Sequence, residues 1–164
     1  MVVSGRVIEK IAKNKFDIVV VILWSLVVSF VIVKTYWVAY STKPRLKHEV
    51  PIRPEYDLNN FEPLDLFIVS LAGIIAGILL ADVKKMFYGY VGAMLIAYIN
   101  SVALLSYHTW FIKEGFQAGL SSIAFGWEWA IFAAALDAFV LMVPWIVCLC
   151  LVGMIMGAFI RAWI

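Results

Sequence analysis

The sequence predicts an all-α polytopic integral membrane protein, with four transmembrane helices and a short amphipathic helix at its N-terminus. Of the 164 residues, 65% are hydrophobic, and the apolar residues fall into four blocks at 18–40, 64–83, 86–110 and 129–160. Each block reaches or approaches the about 20 residues that a helix needs to cross a bilayer. We therefore expect a single membrane domain over residues 1–164, with lipid as its main solvent.

Residues 2–15 are predicted to form the short amphipathic helix. Apolar residues recur there at helical spacing, and basic residues occupy the rest of the helical wheel. The apolar set is Val3, Val7, Ile8 and Ile11, and the basic set is Arg6, Lys10 and Lys13. Such a helix is expected to lie on an anionic membrane surface. The alternative is a frayed, charged tail.

The first apolar block is predicted to be a retained span rather than a cleaved signal peptide. It exceeds the length of a signal-peptide core, and no small-residue cleavage site follows it. Tyr36, Trp37 and Tyr40 stand at its end instead, as an aromatic belt does at a membrane interface.

The second and third blocks are predicted to form a tight helical hairpin. Pro63 suits the first turn of the second span, and Asp65 lies near the positive end of its helix dipole. The uncharged core of this span, residues 66–81, has only 16 residues, so we expect a short span. The third span follows at once, with Lys84 and Lys85 at the tip of the hairpin.

The fourth block is longer than a bilayer requires, so its first part is expected to be interfacial, tilted or protruding. Pro144 lies inside it and deprives a carbonyl group one turn earlier of its donor. A kink or a polar contact is therefore predicted at this proline.

Two outer connections are predicted, at residues 41–63 and 111–127. The first contains four prolines, which favour an extended backbone that straps across the protein or a neighbour. The second mixes Gly and Ser with apolar residues, which is typical of a re-entrant or interfacial segment.

The distribution of Lys and Arg predicts the orientation. With the N-terminus inside, seven basic residues lie near inner span ends and six lie outside. The basic N-terminus and the tight Lys84–Lys85 turn favour the same choice. We therefore expect an integral protein of the cell (plasma) membrane with both termini cytoplasmic.

Small residues recur at fourfold spacing in every span, where they let helices approach closely in lipid. The candidate packing residues are Gly73, Gly77, Gly89, Ala93, Ala130, Ala134, Gly153 and Gly157. They predict a compact bundle with at least one face left for a partner, because four helices cannot shield every such face.

Lys34 and Asp137 are the most conspicuous ionisable groups at membrane depth, where charges are costly and are functional candidates. Both lie a few residues inside the outer edge of their spans, so we expect them to pair directly or through water if the spans are neighbours. The alternatives are a snorkelling lysine, a proton or ion site at Asp137, or contact with another subunit.

The third span carries three further polar candidates, Asn100, Ser101 and His108. Asn100 is expected to bond to a neighbouring helix, and His108 lies near the outer edge. The only other histidine, His48, is in the first outer connection, so haem or copper would lack imidazole ligands. No catalytic residues, metal site or cofactor are predicted.

Other chemical signatures are weak. Cys148 and Cys150 point to nearly opposite sides of a helix and are interpreted as small apolar residues. The chain shows no nucleophile–base set, Walker loop or metalloprotease motif. A net charge of +2 with basic residues at membrane edges argues against nucleic-acid binding.

Three functional hypotheses remain. The first is a non-catalytic accessory or scaffold subunit of a larger multi-subunit membrane complex, in which a hetero-complex is favoured over a homo-oligomer alone. A respiratory or oxidoreductase complex is the example suggested by class frequency, and no residue argues for it. The second is a small homo-oligomeric channel or a proton- or ion-coupled carrier using Asp137. The third is a membrane enzyme acting at the outer surface.

Overall fold

The computed structural model describes residues 3–42, 61–80, 82–108 and 127–164, and these residues are almost entirely helical, with no strand among them. The helices are α1 (Val3–Thr42), α2 (Pro63–Leu79), α3 (Val83–Tyr107), α4 (Trp127–Leu141), a π-helical turn (Met142–Ile146) and α5 (Val147–Trp163). The all-α prediction is confirmed for this part of the chain. The predicted forms of the two outer connections lie largely outside the described residues.

Three segments are long and apolar enough to cross a membrane: Lys15–Val38, Val83–Tyr107 and Ala130–Trp163. They support the prediction of a transmembrane protein. Helix α2 is apolar but has only 17 residues, which is about 26 Å at 1.5 Å per residue. The sequence predicts a short second span, and the count of four crossings stays a prediction.

The N-terminal segment differs from its prediction. Residues 2–15 were expected to form a separate short helix on the membrane surface, whereas α1 runs without interruption for 40 residues. No proline occurs between Val3 and Thr42 to break the helical hydrogen bonding. The prediction of helical structure is correct, and the prediction of a separate surface helix is wrong.

Helices α2 and α5 approach each other more closely than side chains would allow. A Cβ atom on Gly73 would lie 2.8 Å from the Cys150 carbonyl oxygen, and one on Gly153 would lie 2.5 Å from the Ser70 carbonyl oxygen. One turn on, a Cβ atom on Gly77 would overlap the Met154 carbonyl. Contact positions advance together along both helices, so α2 and α5 run parallel with backbone against backbone.

All eight small residues that the sequence singles out for packing are buried inside the chain: Gly73, Gly77, Gly89, Ala93, Ala130, Ala134, Gly153 and Gly157. Small residues are also buried at the contact between α1 and α3, where the Ser29 hydroxyl lies 3.2 Å from the Ala97 carbonyl oxygen. The outer surface consists largely of bulky apolar side chains such as Phe30, Phe67 and Phe159. Small side chains therefore serve packing within this chain.

The fourth apolar block is broken near its middle. Val143 has an extended backbone (φ −108°, ψ 132°), and the peptide bond to Pro144 is cis. Proline has no N–H to continue the helical ladder, which accounts for a break at this position. The predicted kink is therefore confirmed.

Two tyrosines of α3 hold the two halves of this broken helix. The Tyr98 hydroxyl donates to the Ala135 carbonyl of α4 at 3.2 Å, and the Tyr90 hydroxyl donates to the Val147 carbonyl of α5 at 3.0 Å. These bonds lie on either side of the π-helical turn, so α3 serves as a common support for α4 and α5.

The described helix ends meet in two groups. At the basic end, the Lys85 amine bonds to Asp17 of α1, and the Arg161 guanidinium donates to the Leu80 carbonyl at 3.2 Å. This end therefore joins the start of the apolar part of α1, the α2–α3 turn and the end of α5. The opposite end, where α2 begins near Lys34, is called the Lys34 end.

Candidate functional site

The densest group of charges in the described structure is the Lys34 cluster, formed by Lys34, Glu62 and Asp65. The Lys34 amine lies 2.7 Å from Glu62 Oε2, 2.9 Å from Asp65 Oδ1 and 3.1 Å from Asp65 Oδ2. Three donor hydrogens of one amine can thus serve three carboxylate oxygens. The cluster links α1 to the N-terminus of α2.

The local sequence of α2 explains why two carboxylates meet this amine. Glu62 is the N-cap residue, Pro63 begins the helix, and Asp65 lies in the first turn. Proline fits the first turn because its missing N–H would have no helical partner there. Negative charge is also favoured at this end by the helix dipole, so Asp65 is stabilised by both the dipole and Lys34.

Exposure distinguishes the two acids. The side chain of Asp65 is 4% exposed, whereas that of Glu62 is 56% exposed. A buried carboxylate needs a partner to offset its lost hydration, whereas an exposed ion pair contributes little. Asp65 is therefore the member that depends on Lys34.

The described partners of Lys34 differ from the partner that the sequence predicts. The sequence pairs it with Asp137, but the bonds of its amine in the structure reach Glu62 and Asp65, which the sequence does not pair with it. Pairing of Lys34 with Asp137, either directly or through water, stays a prediction.

Asp137 lies in α4 and is 8% exposed. Ala130 and Ala134, on the same helical face, are also buried, so this face of α4 is turned into the bundle. The π-helical turn begins five residues after Asp137. A buried acid therefore lies close to a break in the same apolar segment.

Asn100 and Ser101 differ in their surroundings. Asn100 is half-buried, whereas Ser101 is fully buried and its hydroxyl has no hydrogen-bond partner among the described residues. A helical serine normally bonds to the carbonyl four residues earlier. For Ser101 this is the Ala97 carbonyl, which the Ser29 hydroxyl contacts from α1.

His108 lies at the C-terminal end of α3 and contacts two aromatic side chains of α1. Its ring centroid is 4.7 Å from that of Trp37 and 5.8 Å from that of Tyr36, both in edge-to-face arrangements. These contacts join α1 and α3 at the Lys34 end. A second imidazole from His48 was considered from the sequence, but His48 lies outside the described residues.

Metal-ligating residues do not gather within the described ranges: no group of three or more His, Cys, Asp and Glu side chains is found there. Cys148 is exposed and Cys150 is buried, so the two thiols lie on different sides of α5. Helical geometry requires this separation for residues two apart.

Several polar contacts were not foreseen from the sequence. They are Lys34 with Glu62 and Asp65, Lys85 with Asp17, and the carbonyl contacts of Tyr90 and Tyr98. The contact between Lys85 and Asp17 could have been predicted from the sequence. The two residues carry opposite charges, and each directly precedes a span that starts at the same end of the bundle. The tyrosine contacts could not have been predicted in this way, because aromatic residues are common in spans.

Comparisons with known proteins identify no relative: no family model, curated protein sequence or solved structure matches this chain.

Proposed function

We propose that this chain is a non-catalytic subunit of a larger integral membrane assembly. The observation that carries the proposal is the length of α1. Its 40 residues extend about 60 Å, twice the about 30 Å of a hydrocarbon core. The apolar block of the sequence begins at residue 18, so the helical residues 3–17 precede it in α1.

Such an extension needs support. In proteins, most of the stability of a helix comes from packing of its apolar face rather than from intrinsic propensity. Residues 3–14 carry an apolar stripe in sequence, and the uninterrupted helix argues against their folding back flat onto the membrane. A partner subunit at the basic end would bury this stripe.

The small residues do not support a partner subunit. The small residues were expected to leave a face free for another subunit, but all eight are buried within the chain. The proposal therefore rests on the length of α1.

The test is the assembly state in native membranes. After gentle solubilisation, native electrophoresis with mass spectrometry should find this chain in a band with other polypeptides. A variant lacking residues 2–14 keeps the whole apolar segment of α1 and should still insert, but it should leave that band. Migration of the full chain alone, or only with copies of itself, would refute the proposal.

A second candidate is an ion- or proton-coupled carrier that uses Asp137. It is favoured by a buried acid close to a broken helix, since interrupted membrane helices often form ion sites in carriers. Ion flux in proteoliposomes that is lost in Asp137→Asn, with thermal stability retained, would support this candidate over the first.

We also propose four crossings in the plasma membrane, with both termini cytoplasmic. Helix α2 supports this because its start lies at the Lys34 end and its end lies at the basic end. Among described side chains, Lys15, Lys84, Lys85 and Arg161 belong to the basic end, whereas Lys34 belongs to the other and is paired with carboxylates. The positive-inside rule then favours the basic end as the cytoplasmic one, as the count over the full sequence does by a margin of one residue.

A further inference from the structure

Three exposed cations gather at the basic end from three different helices. They are Lys15 of α1, Lys84 of α3 and Arg161 of α5. The contacts of Lys85 with Asp17 and of Arg161 with Leu80 bring these helix ends together. Sequence separation alone would leave these cations far apart.

The described acids at this end, Asp17 and Asp82, are outnumbered by the cations. Asp17 binds Lys85, and the Asp82 side chain accepts a hydrogen bond from the backbone N–H of Lys84 at 3.2 Å, as an N-cap does. Within the described structure, Lys15, Lys84 and Arg161 form no ion pair. The exposed charge at this end is therefore mainly positive.

Two of these cations border one turn. The Arg161 guanidinium is held at the turn between α2 and α3 by its bond to the Leu80 carbonyl, which uses one of its five N–H donors. Lys84 follows Leu80 by four residues and lies in the first turn of α3. Arg161 and Lys84 therefore both lie near Leu80, the first through a hydrogen bond and the second through its position in the sequence.

Exposed apolar side chains flank these cations along their helices. Phe16 follows Lys15, Val83 precedes Lys84, and Ile160 precedes Arg161, and all three apolar side chains are exposed. Charged groups directly beside lipid-facing apolar groups are typical of the level where headgroups meet acyl chains.

We propose that the basic end binds an anionic phospholipid, with the lipid phosphate between Arg161 and Lys84 at the α2–α3 turn. Basic groups between helix ends at the membrane surface recognise anionic headgroups. The flanking apolar side chains favour a lipid over a free anion, because they would contact its acyl chains. This site is independent of the proposed role in an assembly.

The experiment uses the purified full chain in a neutral detergent. Dioctanoyl phosphatidylglycerol is titrated, with dioctanoyl phosphatidylcholine as the neutral comparison, and bound lipid is counted by native mass spectrometry. We expect selective binding of phosphatidylglycerol. Lys84→Gln should weaken it about fivefold, and Lys84→Gln with Arg161→Gln about 30-fold.

The matched control is the double variant Lys84→Arg with Arg161→Lys, which preserves both charges and should bind phosphatidylglycerol nearly as the parent does. Lys84→Gln keeps the Arg161 bond to Leu80, so its weaker binding cannot come from loss of that bond. Equal binding of the two lipids, or undiminished binding in the double Gln variant, would overturn the proposal. Inorganic phosphate that displaces phosphatidylglycerol at equal concentration would overturn the choice of a lipid.

Discussion

At the scale of single residues, the Lys34 cluster shows how burial decides which charge matters. Lys34 bonds to both acids at similar distances, 2.7 Å to Glu62 and 2.9 Å to Asp65. Only Asp65 is withdrawn from solvent, so only its carboxylate loses hydration that the amine must offset. Glu62 remains in contact with solvent and can exchange its partner for water.

We therefore expect Asp65→Asn to lower the thermal midpoint of unfolding in detergent more than Glu62→Gln does. Each change is isosteric and removes one negative charge from the same amine, which makes the second variant a matched control. A double-mutant cycle with Lys34→Met should give the larger coupling for Asp65. Equal coupling for the two acids would contradict this account, and the same cycle with Asp137 would test the pairing that the sequence predicts.

Ser101 gives a second prediction at this scale. Its hydroxyl is buried and has no partner in the part of the chain that the structure describes, and such a group costs about 1–3 kcal/mol. Ser101→Ala should therefore leave the free energy of unfolding unchanged or raise it by about 1 kcal/mol. Ser29→Ala removes a hydroxyl that lies 2.8 Å from the Ser25 carbonyl oxygen of its own helix and 3.2 Å from the Ala97 carbonyl oxygen of α3. Because its single proton is shared between these two acceptors, the free energy of unfolding should fall by at most about 0.6 kcal/mol, the usual value for a bond between helices in membranes. Destabilisation by Ser101→Ala that exceeds the effect of Ser29→Ala would show a partner for this hydroxyl.

At the scale of helices, the contact between α2 and α5 depends on the absence of side chains. Cβ atoms on Gly77 and Gly157 would overlap backbone carbonyl groups of the other helix, which cannot move away as a flexible side chain can. Close contact of this kind is a principal source of helix association in lipid.

Gly77→Ala and Gly157→Ala should therefore each lower the free energy of unfolding by about 1–3 kcal/mol, as overpacking does. Gly92→Ala is the matched control. A Cβ atom there would lie 3.7 Å from Val21 Cγ1, an ordinary contact, so stability should be unchanged or slightly raised. Similar losses at all three glycines, measured by thermal unfolding in detergent, would mean that the close approach of α2 and α5 is not the cause.

Much of the helical layout could be predicted because apolar length and proline act locally. The blocks located the apolar segments, and Pro144 located the break. Partner choice could not be predicted in this way. Glycines spaced four apart identify faces that pack closely but not which faces meet, so the parallel match of Gly73 and Gly77 with Gly153 and Gly157 required the structure.

At the candidate site, too, the sequence indicates a residue but not its partners. The depth of Lys34 in its span marks it as a candidate, and similar depths in spans 1 and 4 suggest Asp137 as its partner. Depth alone does not indicate Glu62 and Asp65, because the sequence does not show that α1 passes the start of α2. The continuity of α1 was also missed, because amphipathic periodicity gives no signal for whether a helix stops before the next span begins.

At the scale of the whole molecule, the described side chains at the two ends differ in charge. Exposed cations occupy the basic end, whereas the Lys34 end has a single described lysine paired with two carboxylates. This difference can determine the orientation in the membrane only if α2 crosses the bilayer, so that the two ends lie on opposite sides. The proposed orientation therefore depends on α2 crossing the membrane beside α5.

The most direct test is the sidedness of the two ends of α2 in intact cells. Glu62→Cys and Lys84→Cys introduce thiols before and after α2, and a membrane-impermeant maleimide reports which is accessible. The parent chain is the blank, because its two cysteines lie within the apolar helix α5. We predict labelling of the Glu62→Cys variant from outside, and labelling of the Lys84→Cys variant only after permeabilisation. Labelling of both variants from the same side would contradict the crossing of α2 and the orientation built on it.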